Sequence, residues 1–121
     1  MSAFKPKGRP SVIPRIITAD VAAVVEFAKH VVRAKGALQD GAPTELKIAK
    51  SVVMVSDGGG VREAMPAFLY VYVANVDKAH ARAIEAGAET LDPPEDMPWG
   101  DRRATVRDAW GNIWQLATRQ H

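Results

Sequence analysis

Apolar and polar positions along the chain change period several times, and each change predicts an element. Ser11 to Ala19 is rich in β-branched residues, but Pro14 donates no ladder hydrogen bond, so the run reads as an edge strand or one that starts near that proline. From Asp20 the period becomes helical. Asp20 is a predicted N-cap, Val21, Val24, Val25, Ala28, Val31 and Val32 share one face, and Gly36 is a natural stop. Ala37-Leu38 opens a short strand and Gln39 to Pro43 turns. Thr44 to Ala49 and Ser51 to Ser56 are strands, the second almost wholly apolar and therefore central. Ala67 to Val73 alternates Phe68, Tyr70 and Tyr72 against Leu69, Val71 and Val73, the clearest strand in the chain. Asn75 caps a second helix with Val76, Ala79, Ala83 and Ile84 on its apolar side, ended by Gly87. Ala88 to Leu91 is a short strand, and Asp92 to Pro98 reads as a proline-broken loop. Ala104 to Arg107 and Ile113 to Ala117 form a hairpin about Asp108-Ala109-Trp110-Gly111-Asn112, whose aspartate, glycine and asparagine favour chain reversal.

The plan repeats. Thr18-Ala19-Asp20-Val21 overlies Val73-Ala74-Asn75-Val76 at an offset of 55, and Lys35-Gly36-Ala37 overlies Ala86-Gly87-Ala88 at 51, which predicts a first helix about one turn longer than the second. Two βαβββ modules of about fifty residues, related by duplication, follow from this register. The fold class is α+β. The expected organisation is a flexible basic arm at 1–10 and one domain at 11–118, with module one at 11–57 and module two at 66–118. Asp57-Gly58-Gly59-Gly60 lacks the lysine and hydroxyl of a phosphate-binding loop and reads as an inter-module linker.

Composition narrows the class. A chain of 121 residues with 47% hydrophobic and 25% charged residues can bury a single core without staples. Without cysteine there is neither a disulfide framework nor a thiolate metal site, which fits a reducing, cytoplasmic setting. No apolar run reaches the roughly eighteen residues of a membrane span, and the opening residues do not pattern as a signal peptide. Net charge is +2, with Lys5, Lys7 and Arg9 spaced by Pro6, Gly8 and Pro10, and this arm reads as a solvated terminus. Neither helix has the basic side of a DNA-reading helix, so neither nucleic acid nor membrane is an expected partner.

The order "aromatic-Gly-Asp-Arg, strand, Arg-Asp-x-aromatic-Gly-Asn, strand", from Trp99 to Ala117, resembles the C-terminal signature of the vicinal oxygen chelate superfamily of glyoxalases, extradiol dioxygenases and bleomycin-resistance proteins. The resemblance extends over residues 11 to 118. It implies curled mixed sheets facing each other around a cleft, with ligands held from the strands and helices packed outside.

The metal site found in many relatives is not legible here. The three histidines, His30, His80 and His121, lie on helices or at the end of the chain, and the positions the resemblance assigns to metal ligands fall near Pro14, Glu45, Tyr70 and Gln115. One carboxylate does not hold a divalent ion with an open position, so no metal or cofactor is expected. The bleomycin-resistance branch, dimeric and metal-free, is the nearest likeness. It implies a homodimer that sequesters a small molecule, planar or cationic, in an aromatic crevice.

Candidate ligand-binding residues are Tyr70, Tyr72, Trp99, Arg102, Arg103, Trp110 and Gln115: rings offer flat faces, an arginine fork grips a carboxylate or phosphate, and an amide holds a ligand where relatives hold an ion. Each also has a structural reading. Tyr70 and Tyr72 share one sheet face, which is either cleft or helix-covered core. Trp110 can plug the hairpin, Arg102 and Arg103 can pair with Asp101 and Asp108 at the surface, and Trp114 beside Leu116 is expected in the core. Two other functions remain open: a lyase or isomerase with Glu45 as general base or lone ligand, and a structural or regulatory dimer whose cleft is filled.

Overall fold

Among the described residues, seven strands and two helices follow the βαβββ order of the duplication, with one strand of module one missing. The computed structural model describes residues 4–58 and 63–120. Along it run β1 (Arg15–Ile17), α1 (Val21–Val31), β2 (Thr44–Ile48), β3 (Ser51–Ser56), β4 (Phe68–Tyr72), α2 (Val76–Glu85), β5 (Glu89–Asp96), β6 (Asp101–Arg107) and β7 (Ile113–Arg119). The inter-module linker expected around Gly59 and Gly60 lies partly outside the described residues.

Sheet one has the order β1-β3-β2 and sheet two the order β4-β7-β6-β5. In each, the first strand runs parallel to the last of its module and the remaining pairs are antiparallel. The repeat also holds at the level of single bonds. Asp20 accepts from Ala23 N at 3.1 Å and Asn75 from Lys78 N at 3.1 Å, so both helices start on the same side-chain cap. Where module two has β5, module one has a single antiparallel bridge, Lys35 to Lys47.

That bridge replaces the strand expected at Ala37-Leu38, and its cause lies at Gly36. A Cβ there would stand 2.4 Å from the Glu45 carbonyl oxygen, so glycine permits a backbone approach to β2 as well as following a helix. The first helix exceeds the second by one residue (11 against 10), less than the predicted turn. The rest of the offset is taken up after Val32, where Arg33 adopts φ 60. The first strand is shorter than its β-branched stretch, because ladder pairing begins only after Pro14. The greatest departure is β5. Asp92 to Asp96, read as loop, continues the strand through Pro93 and Pro94, with register shifts on either side of Asp92. Prolines are tolerated because β5 is the outermost strand and needs no partner on its far side.

Each sheet is clad by helix on one face only. Val24, Phe27, Ala28 and Val31 of α1 and Val76, Ala79 and Ala83 of α2 merge with Ile16, Leu46, Val53 and Val55 of sheet one and Val71, Ala104, Val106, Trp114 and Leu116 of sheet two in one apolar cluster. Trp114 is fully buried, as expected. Arg82 of α2 ties the modules together. Its Nε donates to His30 O at 3.0 Å and its Nη2 to Val31 O at 2.9 Å, satisfying carbonyls at the end of α1 that the helix itself leaves open. Between the modules, Met65 N donates to Ile17 O at 3.0 Å, so the chain enters β4 along the free edge of β1.

The helix-clad faces therefore share the core, and the opposite faces are left open. Phe68 (64% exposed) and Tyr72 (59%) show that the two sheets do not close on each other within one chain. Among the described residues no helix is long and apolar enough to cross a membrane.

Candidate functional site

Strand register decides which candidates meet. Across sheet two, Tyr70 lies beside Gln115, which lies beside Thr105 and then Asp92; Tyr72 lies beside Ala117, then Arg103 and Glu95. Residues aligned this way point to the same side, here the open one. The two tyrosines thus occupy the open face, with rings 5.5 Å apart and edge to face.

They converge on Asp101, a residue outside the predicted site. Its carboxylate is almost wholly buried. Oδ2 accepts from Tyr70 OH at 2.6 Å, Tyr72 OH at 2.9 Å and Trp99 Nε1 at 3.3 Å, while Oδ1 accepts from Arg119 Nη1 at 3.3 Å. These donors, the Tyr70 hydroxyl first, hold the Asp101 carboxyl below the usual carboxylate range against the opposing effect of burial. Both phenols are pushed up, Tyr70 chiefly by desolvation and Tyr72 chiefly by its bond to Asp101, so both stay protonated donors at neutral pH.

Trp99 stands at the rim, half exposed, on a turn closed by Met97 N to Asp101 O at 2.7 Å. Gly100 in that turn has φ +101, and a Cβ would come within 3.0 Å of the Arg119 guanidinium, which also donates to Trp99 O at 2.5 Å. The Arg103 guanidinium lies over the Trp99 ring, 5.5 Å from its centroid. Its Nη2 is 3.8 Å from Asp92, and its Nε is buried without a hydrogen-bond partner among the described residues. Gln115 makes one long bond, Nε2 to Thr105 Oγ1 at 3.4 Å. Tyr70, Tyr72, Trp99, Arg103 and Gln115 therefore share one surface around Asp101.

Two candidates lie elsewhere. Arg102 alternates with Arg103 along β6 and points to the helix side, where it grips Asp77 of α2 through two bonds of 2.9 and 3.1 Å and Asp96 at 3.0 Å. Neither arginine takes Asp108 as a partner, as the ion-pair reading had it; Asp101 is paired by Arg119. Trp110 packs on the helix side against Phe27, centroids 6.4 Å apart. Asp101 and Arg119 were the residues missed. The alternation that separates Arg102 from Arg103 also puts Asp101 on the open face.

The charged carboxylate gives a pH signature with a definite sign. A carboxyl whose folded pKa is depressed contributes stability that is fully present above its unfolded value, about 3.9, and lost as pH falls through the folded value. In Tyr70→Phe/Tyr72→Phe two donors are gone and the depression shrinks. The melting-temperature gap between wild type and double variant should be constant above about pH 5 and narrow below about pH 4. Differential scanning fluorimetry from pH 2.5 to 7 reads it; an unchanged gap at pH 2.5 would mean that the hydroxyls act without the Asp101 charge.

The side chains at the positions the resemblance assigns to metal ligands do not fit a divalent ion. Pro14 offers only a carbonyl, engaged by Met54 N at 2.9 Å. Glu45 is ion-paired with Arg9, Tyr70 donates to Asp101, and Gln115 is a neutral amide. His30 and His80 sit on the helices, facing Glu85 at 3.3 Å and Thr90 at 2.8 Å. Among the described residues no group of three or more His, Cys, Asp or Glu is placed to hold an ion.

Comparison with known proteins gives consistent likenesses. The sequence profile of the Glyoxalase/Bleomycin resistance protein/Dioxygenase superfamily matches residues 16–116. The fold is similar to TioX from Micromonospora sp. ML1 (TM-score 0.76, 24% identity, 91% of this chain and 98% of that one). It is also similar to a superfamily protein from Sphaerobacter thermophilus (TM-score 0.70, 19% identity, 91% and 98%). Uncharacterized proteins of Mycobacterium bovis and Mycobacterium tuberculosis are 37% identical over 67 residues, 55% of this chain. The match spans 41% and 36% of their own lengths.

Proposed function

The chain belongs to the Glyoxalase/Bleomycin resistance protein/Dioxygenase superfamily, and from that premise we propose that it binds a planar small molecule, without a metal, on the open face of sheet two. The observation that carries this reading is the aromatic surface built around Asp101. Burying a carboxylate and directing three ring-borne donors at one of its oxygens fixes Tyr70, Tyr72 and Trp99 in place, so a flat ligand meets rings that lose little entropy on contact. The Arg103 guanidinium over Trp99 and the Gln115 amide supply the directional contacts.

A second copy of the chain covers the platform in this reading. Exposed Phe68, Tyr70, Tyr72 and Trp99 form an apolar area of the kind that marks a binding surface, and charge favours the opposite module as its cover. The open face of sheet one carries Arg9, Arg15, Lys35 and Lys47 against Glu45. That of sheet two carries Glu89, Asp92, Glu95 and Asp101 against Arg103, Arg107 and Arg119. One is basic and the other slightly acidic, so a homodimer that places sheet one of each copy over sheet two of the other is electrostatically matched. Arg9 already holds Glu45 Oε2, which weighs against Glu45 as a general base.

The test uses 2-naphthol, an uncharged flat probe, followed by quenching of tryptophan fluorescence. Saturable binding that is indifferent to chelator is expected, weakened about threefold to tenfold by Tyr72→Ala, since an aromatic contact adds about 0.5–1.5 kcal/mol beyond buried area. Binding that survives Tyr70→Ala/Tyr72→Ala unchanged would overturn the reading, as would a chelator-sensitive interaction. A filled, ligand-free dimer would give no saturation.

A further inference from the structure

The open face of sheet one has a chemistry of its own. Between β2 and the segment before it lies a groove of about 480 Å³ whose walls include Arg9, Lys35, Glu45, Lys47, Val52 and Met54. Lys35 and Lys47 are partners in a doubly hydrogen-bonded antiparallel bridge, 2.9 and 2.7 Å, so their side chains leave the sheet on the same side and next to each other. Like charges placed directly opposite repel. Neither ammonium has an ion-pair partner among the described residues. Among the described residues the only carboxylate lining the groove, Glu45, is taken by Arg9. That contact also holds Arg9 in place: Arg9 N donates to Pro6 O at 3.2 Å across a turn at Gly8 (φ +81), and its guanidinium reaches β2 from outside the sheet.

We propose that this groove is an anion-recognition site, in which Lys35, Lys47 and the Glu45-anchored Arg9 receive a carboxylate or phosphate group whose apolar body lies on Val52 and Met54. Three cations against one acid leave an excess of two positive charges, and the anion relieves the repulsion between the paired lysines. Glu45 orients the guanidinium and leaves other N–H groups of Arg9 for the ligand. The inference rests on the preceding reading, in which sheet one of a partner copy covers the ligand held on sheet two, and it narrows the ligand class to planar acids. The Arg103 guanidinium, which lies over Trp99 on the other sheet, suits the same class.

The test compares 2-naphthol with 2-naphthoate and 2-naphthyl phosphate, which share a ring and differ in charge, on the full chain by isothermal titration calorimetry. At least one anion should bind about tenfold more tightly than 2-naphthol, as a charge-assisted hydrogen bond allows, and the tighter of the two identifies the group. The advantage should fall as salt rises and vanish in Lys35→Gln/Lys47→Gln, which keeps the backbone bridge and exposes no new apolar surface. Arg9→Gln should reduce it as well. Equal affinity for all three probes would overturn the proposal, as would an anion advantage untouched by the lysine changes. Tyr70→Ala/Tyr72→Ala separates the two readings. If it abolishes binding of the ring while the charge advantage was already absent, the aromatic platform stands and the anion site fails. If the lysine-dependent advantage persists in it, the anion site stands by itself.

Discussion

Asp108→Ala is expected to lower stability by about 3–5 kcal/mol, because it strips the acceptor from several buried donors at once and each orphan costs about 1–3 kcal/mol. Asp108 is 3% exposed at the end of β6. Its Oδ1 accepts from Trp110 N at 3.0 Å and Asn112 N at 2.9 Å, and its Oδ2 from Asn112 Nδ2 at 3.0 Å and Trp114 Nε1 at 3.0 Å. Asn112, also buried, passes the constraint on, since its Oδ1 accepts from Ala67 N at 2.9 Å where the chain enters β4. One carboxylate thus shapes the turn, seats the largest core side chain and fixes the parallel strand beside it. For a chain of this size the loss corresponds to a melting point about 12–20 °C lower. Asp108→Asn is a sharper probe. It can keep the two backbone bonds but places an amide against the Trp114 N–H, so more than half of the alanine effect should remain. Chemical denaturation followed by tryptophan emission measures both, and a loss below 1 kcal/mol for alanine would show that water replaces the carboxylate.

This lock was legible in the sequence as a turn and not as a core element. Asp108, Gly111 and Asn112 announce chain reversal through local preferences, which depend on neighbouring residues only. That the same aspartate also satisfies the indole of Trp114 depends on the strand folding back, which no local preference encodes. The duplication was legible for the opposite reason: two helix caps recur at an offset of 55 and two glycines at 51, and the caps act within their own turns. β5 was hidden because Pro93 and Pro94 argue against a ladder, and only its place at the edge of the sheet makes them harmless.

The candidate site divides along the same line. Tyr70 and Tyr72 were placed on one face by alternation, but which face was undecidable, since Leu69, Val71 and Val73 are as apolar as their neighbours. The helix settles it by covering the aliphatic side. Arg102 and Arg103 were grouped by adjacency, although adjacent strand residues point apart. Asp77 and Asp96 claim Arg102, and the ring of Trp99 lies under Arg103. Asp101 reads in the sequence as a surface ion-pair partner of the adjacent arginines, whereas its partners are Tyr70 and Tyr72, about thirty residues earlier, and Arg119.

Phe27→Ala should have an effect comparable to the loss of Asp108, about 3–5 kcal/mol, as expected for truncating a buried phenylalanine. Phe27 belongs to module one but lies between tryptophans of module two, with centroids 6.4 Å from Trp110 and 5.7 Å from Trp114. It is the aromatic joint of the duplication, and Trp110, which faces away from the open sheet, serves that joint. Phe27→Leu keeps most of the apolar volume and should cost less than half as much. If the ring contact matters beyond its volume, Phe27→Ala and Trp110→Ala will be non-additive, with a coupling of about 0.5–1.5 kcal/mol. The apolar cluster is continuous across both modules, so urea unfolding of Phe27→Ala should remain a single transition at lower midpoint. A biphasic curve would instead mean that each half holds its own fold. In that case the joint's task is to set how the two open faces are oriented.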